Sequence, residues 1–247
     1  MKIFVDTANL SEIEAALRRG FVRGITTNPS LLAKEPKTAF EGHIGKIVEL
    51  IKKYQPEAHL SVEVFSQDSD EILEQARRFR DEFQYEHLSI KVQVGWNELE
   101  VIHKLKKENF SVNCTCCMMV SQAVMAAAAG AKYVSFFWGR IRDGGVKIDS
   151  FNKEGRELMM KNKIARSDDF DPVSVVRKTR DIFDHCSYLD AEIIAGSMRS
   201  VLDVVDAGIA GAHIVTVPPK FFPDMISHFK TDEVVKQFLT DFKEWLK

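Results

Sequence analysis

No stretch of eighteen apolar residues occurs anywhere in the 247-residue sequence, which excludes a helix built to cross a bilayer. The start, Met1-Lys2-Ile3-Phe4-Val5-Asp6, sets an acid where a secretory signal would have its apolar core, so a cytoplasmic protein is expected. An excess of charge of one sign is lacking too, because 34 Lys and Arg stand against 36 Asp and Glu for a net charge of -2. Without a global basic field, neither nucleic acid nor an anionic membrane is an expected partner, and any anionic ligand must be held by local charges. Cysteine is scarce, at Cys114, Cys116, Cys117 and Cys186 only. Three of these crowd into four positions, which suits neither a disulfide framework nor paired C-x-x-C zinc ligands, and they are expected to pack as small apolar residues. The seven histidines are scattered, with no H-E-x-x-H or other close ligand spacing, and no metal is assigned. No linker rich in Pro, Gly or Ser and no repeat of solenoid period divides the chain, so one domain over residues 1–247 is expected.

A hydrophobic fraction of 45% against 28% charged residues is enough to bury a sizeable core and excludes intrinsic disorder. Short apolar or β-branched runs recur at Lys2 to Asp6, Val22 to Thr26, Leu60 to Phe65 and Leu88 to Val94. They continue at Ser111 to Thr115, Tyr133 to Phe137, Glu192 to Ala195 and His213 to Val217. Between most of them apolar residues fall at three- and four-residue spacing, as in Leu10-Ile13-Leu17 and Leu99-Ile102-Leu105, which predicts helices. Strands alternating with helices imply parallel pairing, and eight such strands in a chain of this length predict an α/β fold, a single (β/α)8 TIM barrel. An open doubly wound sheet is the alternative. Gly139 to Asp171, rich in Lys, Arg, Asp and Gly, reads as a long loop or insert before a helix near Pro172, with a solvated excursion favoured over a lid or a short extra helix. An additional C-terminal helix is predicted at about 231–247, with Val234, Val235, Phe238, Leu239, Phe242, Trp245 and Leu246 forming an apolar stripe. That stripe packs either on its own barrel or on a neighbouring subunit.

Strand parity picks out the candidate site. Side chains alternate, so one parity of each strand faces the helices and the other faces the barrel interior or its mouth. Ile3 and Val5 oppose Asp6, Val62 and Val64 oppose Glu63, and Ile90, Val92 and Val94 oppose Lys91 and Gln93. The fifth strand sets Asn113 and Thr115 against Val112 and Cys114, and the sixth sets Ser135 and Phe137 against Val134 and Phe136. A carboxylate or an amine on the interior parity demands either mutual pairing or a function, because desolvating an unpaired charge costs several kcal/mol. Taken one strand at a time, an ion-pair cluster at the mouth suffices; taken together, the set points to a reactive site, since barrel chemistry gathers at the C-terminal strand ends. Lys91 is the candidate nucleophile. At a reference pKa of about 10.4 only roughly four amines in ten thousand are neutral at pH 7, so desolvation has leverage, and a neutral amine attacks a carbonyl to give a Schiff base. Asp6 and Glu63 are then candidates for shuttling protons.

A second constellation reads as an anion site. Arg140 follows the sixth strand, and Gly196-Ser197-Met198-Arg199-Ser200 follows the seventh, where a helix opening at Ser200-Val201-Leu202 would present hydroxyls and free N–H groups. Sugar phosphates suit this arrangement; an ordinary serine N-cap beside a surface arginine is the alternative.

The sequence resembles the transaldolase family, specifically the short transaldolases and the related fructose-6-phosphate aldolases. The resemblance is carried by K-I-F-V-D-T-A-N at the start, G-I-T-T-N-P-S-L-L-A-K at 24–34, I-K-V at 90–92, V-N-C-T at 112–115 and A-G-A-K-Y-V-S-F-F-W-G-R at 129–140, with A-G-S-M-R and T-V-P-P-K towards the end. It implies a Schiff-base aldol mechanism on Lys91, with Asp6 handling the hydroxyl proton in carbon–carbon cleavage and Glu63 with Thr115 holding the catalytic water. Asn28 and Asn113 would orient the sugar's hydroxyls, Ser135 would add a hydrogen bond, and Arg140, Ser197 and Arg199 would hold the phosphate. No cofactor is implied, and rings of five or ten subunits are. The sequence departs from the family pattern at Gln93, where a proline is usual, at Gly95-Trp96, at Cys116-Cys117-Met118-Met119 and in the longer 144–171 segment. In proteins resembling the aldolase branch the position of Phe137 carries tyrosine and that of Glu63 carries glutamine, so this sequence has the transferase-like pair. The resemblance therefore implies a transaldolase moving a dihydroxyacetone unit between sugar phosphates. An aldolase releasing dihydroxyacetone and a catalytically silent sugar-phosphate-binding barrel are the alternatives.

Overall fold

The computed structural model describes residues 1–37, 39–147 and 149–246. Eight parallel strands close into a barrel in chain order: β1 Lys2–Asp6, β2 Val22–Thr26, β3 His59–Glu63, β4 Leu88–Gln93, β5 Ser111–Cys117, β6 Tyr133–Phe137, β7 Glu192–Gly196 and β8 Ile214–Val217. The open sheet is thereby excluded, because β1 pairs with β8 as well as with β2. The helices between them are α1 Leu10–Leu17, α2 Pro29–Leu32, α3 Phe40–Tyr54, α4 Ser69–Phe83, α5 Trp96–Lys107 and α6 Val120–Ala129. They continue as α7 Trp138–Val146, α8 Ser150–Lys161, α9 Pro172–His185, α10 Val201–Ile209, α11 Phe222–Ile226 and α12 Phe229–Trp245.

Local chemistry accounts for where the helices begin and which way they face. The Asn9 carboxamide accepts from the N–H groups of Ser11 and Glu12, both at 3.1 Å, and so starts α1. Asp171 caps α9 in the same way, with Pro172 at the first helical position, where a missing N–H costs nothing. Ile44, Ile47, Val48 and Ile51 recur along α3 and are buried, as are Ile72, Ala76, Phe79 and Phe83 along α4. These pack on the outward strand parity, Val62, Ile90, Val92, Val112, Val134 and Phe136 among it, to form the main core between barrel and helices. A second, smaller core of Phe4, Ile194 and Ile214, with Tyr133 against it, fills the barrel interior. His59 stacks on Phe4 with ring centroids 5.1 Å apart, so side chains plug the barrel between its two mouths.

The segment after β6 corrects the sequence reading. It is helical rather than an irregular loop, although α8 buries no residue: α7 begins directly at Trp138, α8 is capped by Asp149, and a 3-10 turn at Ser167–Phe170 leads into α9. Arg156 secures α8 by donating to three carbonyls at the end of α7, those of Gly144 (2.6 Å), Gly145 (3.0 Å) and Lys147 (2.9 Å). One guanidinium thus satisfies the last carbonyls of the preceding helix. The C-terminal helix begins at Phe229, slightly earlier than predicted, and the predicted last residue, Lys247, lies outside the described residues. Every described residue of α12 is exposed, Phe238 by 65% and Trp245 by 79%, so its apolar stripe does not pack on its own barrel. No helix among the described residues is long and apolar enough to cross a membrane.

Candidate active site

The strand register converts parity into contact. Glu63 on β3 pairs in register with Lys91 on β4, Lys91 with Asn113 on β5, and Gln93 with Thr115, while Asp6 on β1 pairs with Thr26 on β2. The side chains of Asp6, Thr26, Glu63, Lys91 and Thr115 meet at the C-terminal end of the barrel around a cavity of about 330 Å³. Lys91 is 5% exposed and donates to the Glu63 carboxylate at 2.9 Å and to the Thr27 carbonyl at 3.1 Å. The buried amine is therefore compensated, and its nearest proton acceptor is the carboxylate beside it.

Asp6 accepts a hydrogen bond from the Thr26 hydroxyl at 3.1 Å. Burial pushes its carboxyl above the ordinary carboxylate range, against the opposing pull of the Lys91 charge, the Thr26 hydroxyl and Lys34. A carboxyl held in this way exchanges protons nearer to neutrality than an exposed aspartate does, which suits an acid/base. The Thr115 hydroxyl is fully buried with no protein partner and lines the same cavity. Such a group is costly unless a ligand or a water meets it. At the end of β5 the register with β6 shifts between Cys114 and Cys117, and Cys116 takes a left-handed backbone with φ of 63°. This bulge turns Cys116 into the cavity lining, whereas Cys114 and Cys117 are fully buried. The expectation that the clustered cysteines all pack as small apolar residues holds for those two and fails for Cys116.

Around the rim, Asn28 caps α2 by accepting from the Leu31 N–H at 3.0 Å, which leaves its NH2 group for the cavity. Phe137, Arg140 and Ser197 complete the lining. Two ion pairs hold α7 against the turn after β7 and the start of α10. Arg199 forms a two-pronged pair with Asp143 at 2.5 Å, and Arg142 pairs with Asp203, which is 1% exposed. Burial drives the Asp203 carboxyl up, but Arg142 and the Arg199 N–H, 2.9 Å away, outweigh it and the net shift is downward. Gly139 completes this junction, since a Cβ there would come within 2.6 Å of Arg199 Nε and 2.7 Å of the Ser197 carbonyl. The close approach needs glycine.

Nine of the eleven candidate residues thus line one cavity: Asp6, Asn28, Glu63, Lys91, Thr115, Ser135, Phe137, Arg140 and Ser197. Asn113 does not; it lies fully buried beneath the floor, bonded to Ser61 and Ser135. Arg199 is exposed and engaged by Asp143 outside the lining. Gln93 also stays out of the lining and donates instead to the Ser66 carbonyl at 2.9 Å and Glu98 at 3.3 Å.

Residues 3–246 match the transaldolase/fructose-6-phosphate aldolase family. The chain belongs to that family. It is 34% identical over 244 residues to a probable transaldolase of Parvibaculum lavamentivorans, covering 99% of this chain and 97% of the relative. A probable transaldolase of Dehalococcoides mccartyi is 35% identical, with 98% of each chain covered, and one of Alkaliphilus metalliredigens is 34% identical over the full length of both. As a member of the transaldolase/fructose-6-phosphate aldolase family the chain is an enzyme of the aldolase/transaldolase class. Its cavity also contains residues that parity applied to only five strands overlooks. Thr26 and Thr216 project inward from β2 and β8, Ile194 from β7, and the Thr27 carbonyl reaches Lys91 from just beyond β2. Extending the alternation to β2, β7 and β8 would have found the first three, whereas a backbone carbonyl leaves no signal in residue type.

Proposed function

We propose that the enzyme is a transaldolase that moves a dihydroxyacetone unit between sugar phosphates in the reducing cytoplasm, through a Schiff base on Lys91. The observation that carries this reading is the Lys91–Glu63 pair at the floor of a cavity that also holds Asp6 and the unpartnered Thr115 hydroxyl. The Lys91 ammonium passes a proton to Glu63, and the freed amine attacks the ketose carbonyl. The carbinolamine loses water, held by Glu63 and Thr115, to form the iminium. Asp6 then takes the proton from the hydroxyl beyond the breaking carbon–carbon bond. The electron pair of that bond flows into the iminium, the aldose phosphate leaves, and an enamine of dihydroxyacetone stays on Lys91. The enamine carbon attacks the acceptor aldehyde, Asp6 returns its proton to the new alkoxide, and water hydrolyses the product iminium. Arg140 and Ser197 hold the phosphate, supported by the Asp143–Arg199 and Arg142–Asp203 pairs behind them. No metal or organic cofactor takes part in this scheme. The unpaired thiols of Cys114, Cys116, Cys117 and Cys186 suit a reducing compartment.

Transfer is preferred to release because the cavity carries a phenyl ring at Phe137, with no hydroxyl to hold a hydrolytic water over the adduct. With fructose 6-phosphate as donor, product formation with erythrose 4-phosphate present should exceed release of free dihydroxyacetone. Phe137→Tyr should raise release by about fivefold, the value of one added hydrogen bond, at the expense of transfer. Release as fast without an acceptor as with one would replace the transaldolase reading by the aldolase one.

The exposed stripe of α12 supports assembly with further copies of the chain, in rings of five or ten. A helix with Phe238, Leu239, Phe242 and Trp245 all in water gains by burial against another subunit. Sedimentation at micromolar concentration should show the oligomer, and Phe242→Glu combined with Trp245→Glu should dissociate it. A wild-type monomer would remove this part of the proposal.

A further inference from the structure

Beneath the cavity a chain of hydrogen bonds crosses the barrel interior. The Ser135 hydroxyl, which lines the active cavity, donates to Asn113 Oδ1 at 2.7 Å. Asn113 Nδ2 donates to Ser61 Oγ at 3.0 Å, and Ser61 Oγ lies 2.6 Å from His59 Nε2. All four residues are buried, and His59 lines a separate cavity of about 360 Å³ beside Lys2, Glu57 and His87 at the opposite end of the barrel. The imidazole is held in place between rings, stacked on Phe4 and edge-on to Tyr133 at 4.7 Å.

The direction of this chain is decided at its far end. Burial, with Lys2 and His87 nearby, pushes the His59 pKa down to about 3, so the ring is uncharged at neutral pH. Ser61 Oγ already accepts from Asn113 and has one proton to give, and His59 Nε2 is the acceptor within reach. With Ser61 donating to Nε2, the His59 proton sits on Nδ1, and every hydroxyl and amide proton in the chain points away from the active cavity. Ser135, its single proton engaged by Asn113, offers the cavity only lone pairs. Were the proton on His59 Nε2, the Ser61 proton would keep a partner among the described residues only if the amide of Asn113 turned, which would reverse every bond and point a donor from Ser135 at the ligand instead.

We propose that His59 is a positioning residue: through Ser61 and Asn113 it fixes Ser135 as a hydrogen-bond acceptor, so that this wall of the cavity selects a ligand hydroxyl. This rests on the reading of the cavity as a sugar-phosphate site. The carboxylates of Asp6 and Glu63 are further acceptors in the same cavity, beside the Lys91 amine that donates. A ligand rich in hydroxyls is the kind that supplies a donor to each.

Two measurements on the full chain test the proposal. Nitrogen NMR of labelled histidines at neutral pH should show His59 uncharged with its proton on Nδ1, and Ser61→Ala should move the His59 Nε2 resonance. A ring protonated at Nε2 would overturn the proposal whatever the enzyme does, which separates its failure from that of the functional reading. In kinetics, His59→Phe keeps a ring on Phe4 but removes the acceptor. That variant and Ser61→Ala should each raise KM for fructose 6-phosphate about tenfold with kcat little changed, and the double variant should do no more, because all act through one chain. Phe4→Leu, which disturbs the same packing without touching the hydrogen bonds, should lower the melting temperature and leave KM unchanged. Additive effects of His59→Phe and Ser61→Ala, or an equal rise of KM in Phe4→Leu, would show that His59 acts only as packing.

Discussion

Replacing Lys91 by methionine should lower turnover by at least about 10³-fold and abolish the covalent adduct trapped by borohydride from fructose 6-phosphate. Methionine keeps an unbranched side chain in a position that is 5% exposed, so the barrel retains its packing while losing the only amine bonded to Glu63 and Thr27 among the described residues. The cost in stability arises from Glu63, whose carboxylate loses its partner, and it is moderated because that residue is partly open to the cavity. Mass spectrometry of the reduced wild-type protein should place the adduct on the peptide containing Lys91. The alternatives are concrete, since Lys34 and Lys220 also lie near the C-terminal face and line a neighbouring cavity with Asp6. An adduct on either of them, or a Lys91→Met variant that keeps a tenth of wild-type turnover, would sink the assignment. A well-folded wild-type protein that forms no adduct with any ketose phosphate would favour the silent barrel.

Arg140→Ala should raise KM for fructose 6-phosphate by about 100-fold while changing KM for unphosphorylated dihydroxyacetone less than about threefold. Arg140 stands in the first turn of α7 and lines the cavity, with no carboxylate bonded to it among the described residues. Arg142 and Arg199, its neighbours at this junction, are each engaged by an aspartate. The difference between the two substrates is the readout, because a guanidinium that holds phosphate contributes nothing to a substrate that has none. Equal losses with both would make Arg140 a structural residue of the α7 junction and would remove the phosphate from this end of the cavity.

Much of this protein is legible from residue type and spacing. The runs at Lys2–Asp6, Val22–Thr26 and Tyr133–Phe137 become strands with the predicted limits, because β-branched and aromatic residues bounded by polar turns leave the backbone few choices. The inward set of Asp6, Glu63, Lys91, Thr115 and Ser135 is legible for a related reason, since alternation along a strand is a property of the backbone and needs no knowledge of the neighbours. Serine at position 200 does cap α10, accepting from the Asp203 N–H at 3.1 Å, as the local pattern predicts.

What spacing leaves open is any feature settled by partners far apart in the chain. The segment between β6 and α9 has the composition of a solvated loop, yet it is helical, with Arg156 of α8 bonded to the carbonyls of Gly144, Gly145 and Lys147 at the end of α7. Arg199 follows a strand as a phosphate ligand would, yet Asp143, 56 residues earlier, holds it outside the cavity. Asn113 has the interior parity of a substrate ligand, but the floor lies above it and its amide is engaged by Ser61 and Ser135. His59 carries no signal at all in the sequence, being one scattered histidine of seven. The sequence by itself determined the barrel, the inward parity and the charged residues at its mouth, because these follow from backbone periodicity and the cost of burying charge. The tertiary structure decided which of those residues share a cavity and which arginines are engaged by aspartates, because ion pairing depends on distances that no spacing along the chain contains.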